Sequence, residues 1–312
     1  MQTVRLGRTG AEVSVAGLGC GGASRLGMAR GADVHQAAGV VRRAIDLGVT
    51  FIDTARAYGT EEAVGEAICG RRGELFVSTK AGPGRGDRLI SASELGAVID
   101  TSLRSLATDY IDLYHLHGVA PAQYEHCIEV LLPEMKSQQA AGKIRFVGVT
   151  EMFGGDTGHE MLARALPEEH FDVVMTGFNL LNPSARTKVF PLTLEHDVGT
   201  LIMFAVRRAL SDPAALGETV TKLISRGEVD AGLVDAGDAL GFLRGRSDVG
   251  SVTEAAYRFC RHEPGAQVVL TGTGDLNHLE ANIAAIQAPP LPAEVLDRLS
   301  QLFGQVDSVS GN

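Results

Sequence analysis

An α/β fold is predicted, a (β/α)8 TIM barrel with a short N-terminal β-hairpin and a long insertion after the seventh strand. Three features predict it. Eight short apolar runs bounded by turn residues recur along 312 residues. Their starts lie 24 to 36 residues apart except for a last interval of 67, spacings that suit one strand and one helix per unit. Segments of helical periodicity lie between them, and alternating strands and helices imply a parallel sheet with right-handed crossovers. Eight such units fit a closed barrel, with an open doubly wound sheet as the rival. No linker or composition break divides residues 1–312, so a single domain is expected.

The elements follow in order. Val4–Leu6 and Val13–Val15 flank Arg8-Thr9-Gly10 as a hairpin expected to cover the barrel floor. The strands are predicted at Val15–Gly19, Phe51–Ala55, Leu75–Lys80, Ile111–His117, Ile144–Thr150, Val173–Asn179, Thr200–Ala205 and Gln267–Thr271. Ala37, Val40, Val41, Ala44 and Ile45 form one helix face, and Gly48 stands where a left-handed cap belongs. Ser91 and Glu94 make a capping box ahead of the stripe Leu95, Val98, Ile99, Leu103 and Leu106. A further helix ends at Ala141–Gly142. The insertion, Val206–Gly250, carries helices near Pro213–Ser225 and Asp235–Leu243, and the last barrel helix is expected to start at Asn277 with Glu280 three residues on.

Composition narrows the functions. The net charge of −10 repels phosphate backbones, so no nucleic-acid partner is expected. No apolar run approaches a membrane span, and no apolar segment follows Arg5 and Arg8 as in a signal peptide. Cys20, Cys69, Cys127 and Cys260 lack metal-binding spacing, so no metal is expected and the cytoplasm is the expected compartment. The run Gly17-Leu18-Gly19-Cys20-Gly21-Gly22 satisfies G-x-G-x-x-G. No helix opens after it, however, and the next acidic strand end, Asp53, comes 31 residues past Gly22, so a tight turn is expected rather than a dinucleotide fingerprint.

Side chains alternate along a strand. Asp53 shares a face with Phe51, Lys80 with Phe76 and Ser78, and His117 with Leu113 and His115. These three polar residues end the consecutive second, third and fourth strands, and Tyr58 follows in the loop Ala57-Tyr58-Gly59. Neighbouring strands lie about 4.8 Å apart, so the outer two of three are roughly 10 Å apart. An acid, an amine, an imidazole and a phenol then meet at one barrel mouth. Singly, each has an ordinary structural reading: an ion pair, a satisfied core histidine, a packed ring. Jointly they can protonate a carbonyl oxygen while a hydride reaches its carbon. A neighbouring ammonium is expected to lower the Tyr58 pKa, with Asp53 holding Lys80 charged. His115, one layer below His117, is expected to hydrogen-bond within the core or to support the site from beneath. None of these groups supplies a hydride, so a nicotinamide cofactor is implied.

The sequence resembles the aldo-keto reductase superfamily in Phe51-Ile-Asp-Thr-Ala-Arg-Ala-Tyr-Gly59, Val77-Ser-Thr-Lys80 and Tyr110-Ile-Asp-Leu-Tyr-His-Leu-His117. The likeness extends through Gly148-Val-Thr150, Phe178-Asn-Leu-Leu181 and Val269–Asn282. It implies reversible NAD(P)(H)-dependent interconversion of a carbonyl (aldehyde, ketone or sugar lactone/lactol) and an alcohol. Tyr58 is then the general acid/base, Lys80 tunes it, Asp53 anchors Lys80, and His117 orients the carbonyl oxygen.

For the cofactor, the resemblance implies contacts from Gly19, Asp53 and Phe204, with Phe178 stacking on the nicotinamide. Thr150 and Glu151 stand at the carboxamide, and Met175 where a Gln often helps. Arg207, beside Arg208, stands near the pyrophosphate. Gly272, Thr273, Gly274, His278 and Asn282 stand along the adenosine end, His278 where many members have an Arg for the 2′-phosphate. NADP(H) is favoured by family habit, with NAD(H) as the alternative.

There is no Trp, and Gly118 follows His117 where many relatives place one, which implies a wider or more polar pocket. Gly118 and Arg56 are candidate substrate contacts for a small carbonyl or polyol. Two rivals to a reductase make different demands. A nicotinamide-nucleotide sensor with little turnover would bind cofactor without reacting. A carboxylate-pair hydrolase on the same barrel would leave Lys80 and Tyr58 unexplained.

Overall fold

A computed structural model describes residues 1–86 and 88–312. Eight parallel strands close into a barrel: β1 (Ala16–Gly19), β2 (Phe51–Asp53), β3 (Phe76–Ala81), β4 (Ile111–Val119), β5 (Ile144–Glu151), β6 (Val173–Gly177), β7 (Gly199–Met203) and β8 (Val268–Thr271). The closure pairs β8 with β1, Val269 opposite Ala16, and excludes the open sheet. Each strand lies where the sequence pattern places it, with ends moved by one or two residues.

The alternation of apolar residues sorts each strand into an inward and an outward set. Phe51, Phe76, Leu113, Val173, Met175, Leu201 and Val268 fill the barrel interior as a separate buried cluster. Phe51 stacks on Phe76 at 5.4 Å, and Phe76 on Phe146 at 6.1 Å, so side chains rather than solvent fill the lower barrel. The outward residues pack under the helices. The N-terminal hairpin, Thr3–Arg5 paired with Glu12–Ser14, closes the floor by adding Leu6 and Val13 to the inner cluster.

The helices start and stop for local reasons. Val34–Asp46 opens on a capping box of Asp33 and Gln36, and Ala92–Ser105 on the expected Ser91–Glu94 box. Gly142 follows Leu132–Ala140 with φ 77°. Two expectations change. The insertion has its helix at Pro213–Ser225, but Asp235–Leu243 forms two single turns, Ala236–Asp238 and Gly241–Leu243, instead of one helix. The last barrel helix runs Leu276–Gln287 with Asp275 as its cap, accepting from the His278 N–H; Glu280 is drawn sideways to Arg43 at 2.7 Å.

The C-terminal segment crosses the loops that follow β6 and β7. Asn182 donates to Val309 O, Ala209 N–H to Gly311 O, and Ser308 Oγ to Glu228. It thereby ties the loop after β6 to the insertion. The total exposed area of 12763 Å² matches the roughly 12,500 Å² that scaling gives for a folded chain of this mass, so the insertion lies packed down rather than splayed. Among the described residues, no helix is long and apolar enough to cross a membrane.

Candidate active site

The inward set of residues on β2, β3 and β4 continues upward into polar ones. Asp53 pairs in register with Ser78, and Lys80 with His115, so each strand delivers its polar group at the same end of the barrel. Lys80 Nζ donates to both Asp53 oxygens at 2.7 and 2.6 Å and to Thr54 O at 2.7 Å. Ser78 Oγ donates to Asp53 Oδ1 at 3.0 Å. All three ammonium protons are therefore used. The pair is sealed, with Lys80 fully buried and Asp53 3% exposed.

Tyr58 and His117 sit above that pair and are only partly buried. The Tyr58 hydroxyl is 3.3 Å from His117 Nε2, the rings meet edge to face at 5.5 Å, and Lys80 Nζ is 5.1 Å from the Tyr58 ring centre. The polarity thus runs from a sealed ion pair to a reachable hydroxyl. A β-bulge between Leu116 and Val119 frees His117 and Gly118 from the ladder with β5. Bulges re-aim side chains at barrel rims. Gly118 takes φ 62°, a left-handed conformation that suits glycine, and its N–H donates to Thr150 Oγ1 at 2.7 Å.

Burial dominates the protonation states. It opposes the Lys80 ammonium, but Asp53 and Tyr58 outweigh it and hold that group above its usual value. Burial likewise raises the Asp53 carboxyl against the pull of Lys80. His117 is pushed down to about 3, first by burial and then by Lys80, so it is a neutral imidazole. Tyr58 departs from expectation: burial raises its phenol, and the opposing pull of Lys80 does not bring it below the ordinary value. Burial outweighs the lysine's pull, part of which is offset by the Asp53 carboxylate bound to it. Tyr58 is thus a protonated phenol at neutral pH. His115 does not meet the first of its two expectations: it is fully buried and held well below the usual histidine range by burial, then by Lys80 and His117, yet among the described residues neither ring nitrogen has a well-formed hydrogen bond.

The glycine run after β1 is explained by close approach. A Cβ on Gly21 would lie 2.5 Å from the Tyr58 ring, so that residue forms a flat backbone wall against the phenol. Gly21→Ala is expected to displace Tyr58 and lower kcat by about tenfold to a hundredfold with the fold intact, since displacements near 1 Å carry costs of that order. Steady-state kinetics beside far-UV circular dichroism check this.

Other sequence-predicted residues separate into those at the mouth and those away from it. Gly19 and Gly272 face each other at the β1–β8 end, where a Cβ on Gly272 would meet Gly19 O at 2.5 Å. Phe204 follows β7 directly, with φ 65°, and the Arg207 guanidinium lies 3.9 Å over its ring. Thr273, Gly274 and Asn282 are partly exposed and His278 is exposed along the β8 loop and helix; Asn282 Nδ2 donates to Thr271 Oγ1. Beside them a cleft of about 340 Å³ runs between the helices Val252–Arg261 and Leu276–Gln287, lined by Ser251, Glu254, Ala281 and Asn282.

Phe178 is not at the mouth. It lies just past β6, fully buried among the helices, stacked on Phe259 at 5.2 Å and edge-on to Phe190 at 5.1 Å. Glu151 is turned away too. Its carboxylate accepts from His159 Nδ1 at 2.9 Å, Thr176 Oγ1 at 2.9 Å and Gly177 N–H at 2.7 Å. His159 Nε2 reaches Ser184 Oγ at 3.0 Å, a carboxylate–imidazole–hydroxyl chain. All three residues are buried and Ser184 Oγ donates to Asn182 Oδ1, so the chain braces the loops and offers no nucleophile. The sequence reading missed Phe153. It fills the space over Gly177, stacks on His159 at 5.4 Å and meets Phe204 at 6.2 Å, forming the wall behind that ring. No motif points to it.

The family model for the aldo/keto reductase family matches residues 18–303. The chain is 26% identical to an uncharacterized oxidoreductase, YqkF, of Bacillus subtilis, over 96% of this chain and 95% of that one. It is 26% identical to L-galactose dehydrogenase of Arabidopsis thaliana over 90% and 86%. Its fold superposes on an aldo-keto reductase of Bacillus halodurans, AKR11C1 (holo form), with TM-score 0.75, 23% identity and coverage of 98% and 97%. An aldo-keto reductase of Klebsiella pneumoniae in complex with NADPH gives TM-score 0.67 at 26% identity, with coverage of 99% and 98%. With a family match over most of the chain, this protein is a member of the aldo/keto reductase family.

Proposed function

We propose that the chain reduces an aldehyde, ketone or sugar carbonyl, and oxidises the matching alcohol or lactol in reverse, with Tyr58 as the general acid/base. The observation that carries this reading is the Tyr58 hydroxyl, 3.3 Å from His117 Nε2 and set above a doubly hydrogen-bonded Lys80–Asp53 pair at the open barrel end. A reduced nicotinamide, when bound, would supply the hydride that no side chain can.

The residues present fit such a group. Gly19 and Gly272 keep side chains out of the β1–β8 rim. Phe204 follows the end of β7 with the Arg207 guanidinium over its ring. The half-buried Arg207 has no carboxylate partner among the described residues and can hold a phosphate. Gly272, Thr273, Gly274, His278 and Asn282 offer polar groups along the adenosine end. NADP(H) is the favoured cofactor, supported by the NADPH complex of the Klebsiella relative.

In the reductive direction Tyr58 O–H donates its proton to the carbonyl oxygen as charge develops there. Neutral His117 donates a hydrogen bond to the same oxygen and fixes its direction. Lys80 stabilises the phenolate that results, and Asp53 keeps Lys80 charged and in place. Burial of the pair keeps water from competing. Gly118 beside His117 and the lack of Trp leave no aromatic side chain at that point of the mouth, which suits a hydroxylated substrate.

The protonation states fix the pH dependence. The reductive reaction needs Tyr58 protonated, so it is present below the Tyr58 pKa and lost above it. Since that pKa lies above its ordinary value and His117 stays neutral, kcat for reduction is expected to be flat from about pH 5 to about pH 9. NADPH and NADH titrations, followed by a pH series on a carbonyl panel, test the reading. A histidine-like inflection near neutrality, or no binding of either cofactor, would contradict it.

A further inference from the structure

Glu61 stands out among the buried groups outside the mouth. It opens the helix Glu61–Ile68 three residues after Tyr58 and is 2% exposed. One carboxylate oxygen accepts from Thr79 Oγ1 at 2.7 Å. The other, Oε2, has no hydrogen bond among the described residues and lies 4.0 Å from Arg56 Nη1. A buried carboxylate so thinly partnered does little for stability, because an uncharged group of its size avoids the desolvation cost. Its place at a helix N-terminus offsets only part of that cost.

Its connections point instead to the site. Thr79 precedes Lys80 on β3, and Arg56 begins the single turn Arg56–Tyr58. The same segment is held at its other end by Lys80 Nζ on Thr54 O, and across its middle by Thr54 Oγ1 against Thr60 Oγ1 at 2.8 Å.

We infer that Glu61 is a positioning residue. Anchored on the strand of Lys80, its charge draws Arg56 inward and so sets the turn that aims the Tyr58 hydroxyl. Arg56 then serves the turn rather than the substrate. The inference rests on the proposed role of Tyr58.

The test is a double-mutant cycle with Glu61→Gln and Arg56→Gln. The Glu61→Gln change keeps one oxygen for Thr79 and replaces the other by an uncharged amide NH2, which cannot attract Arg56. Each single variant is expected to lower kcat about tenfold, with KM, cofactor Kd and Tm unchanged, a cost in line with a small misplacement of a reacting group. The double variant is expected to be no slower than either single one. Two losses that multiply, or a Glu61→Gln enzyme with wild-type kcat, would overturn the inference. Tyr58→Phe serves as the control. If it retains activity, the reading of Tyr58 has failed; if it is inactive while Glu61→Gln is normal, only the role of Glu61 has failed.

Discussion

Tyr58→Phe is expected to lower kcat for carbonyl reduction by about 10²- to 10⁴-fold, the usual range for a positioned proton donor. The change removes one oxygen. The ring still packs against the Gly21 backbone and meets His117 edge to face, so the mouth retains its shape. The hydroxyl makes one long contact, at 3.3 Å to His117 Nε2, so little stability depends on it. Cofactor affinity and Tm are therefore expected to stay within error, and the loss to fall on kcat rather than KM. Stopped-flow and steady-state rates beside a cofactor titration separate these outcomes. His117 cannot substitute as the acid, because burial and Lys80 hold it neutral with a pKa of about 3.

Lys80→Met is expected to have the largest effect on stability. The ammonium is fully buried and donates to three oxygens. Removing it leaves the Asp53 carboxylate buried with only Ser78 as a side-chain donor, and breaking a buried pair in this way costs about 3–5 kcal/mol. Asp53 is expected to respond by taking up a proton, since burial already raises its pKa and Lys80 is the main opposing influence. Its folded-state pKa then lies above its unfolded value. The neutral acid favours the fold at low pH, and that stability is lost as pH rises. The variant should thus unfold more readily at neutral than at acid pH. The double variant with Asp53→Asn should recover much of the loss, because no uncompensated charge remains. Denaturant midpoints at two pH values check both statements. Equal midpoints for the single variant and the native chain would remove the ion pair from the account.

The sequence made some of this legible for a definite reason. Period-2 alternation places Phe51, Phe76 and Leu113 on one face, and the interior cluster holds all three, so Asp53, Lys80 and His117 have to converge. The same parity argues against Glu151: Phe146 packs on the interior cluster, which turns Thr150 inward and Glu151 outward. Resemblance places Phe178 on a strand expected to reach Asn179. Parity argues against it as well: Val173 and Met175 lie in the interior cluster, which puts Val174 and Phe178 on the outward set, and the ring packs in the helical layer. Asp275 is readable as a helix cap two residues ahead of the expected start at Asn277. The direction of the Tyr58 shift is not readable, because a sequence names neighbours but not how deeply a group is buried or how fully a neighbour's charge is already compensated.

The most direct measurement is stoichiometric. The protein is mixed with NADPH and an excess of a reactive aldehyde or aldose, and cofactor oxidation is followed by absorbance while the alcohol formed is quantified. One alcohol per NADPH consumed, with turnover abolished by Tyr58→Phe, is the expected result. No NADPH consumption with any member of a broad carbonyl and sugar panel, despite tight cofactor binding, would contradict a reductase and point to a nucleotide-binding role.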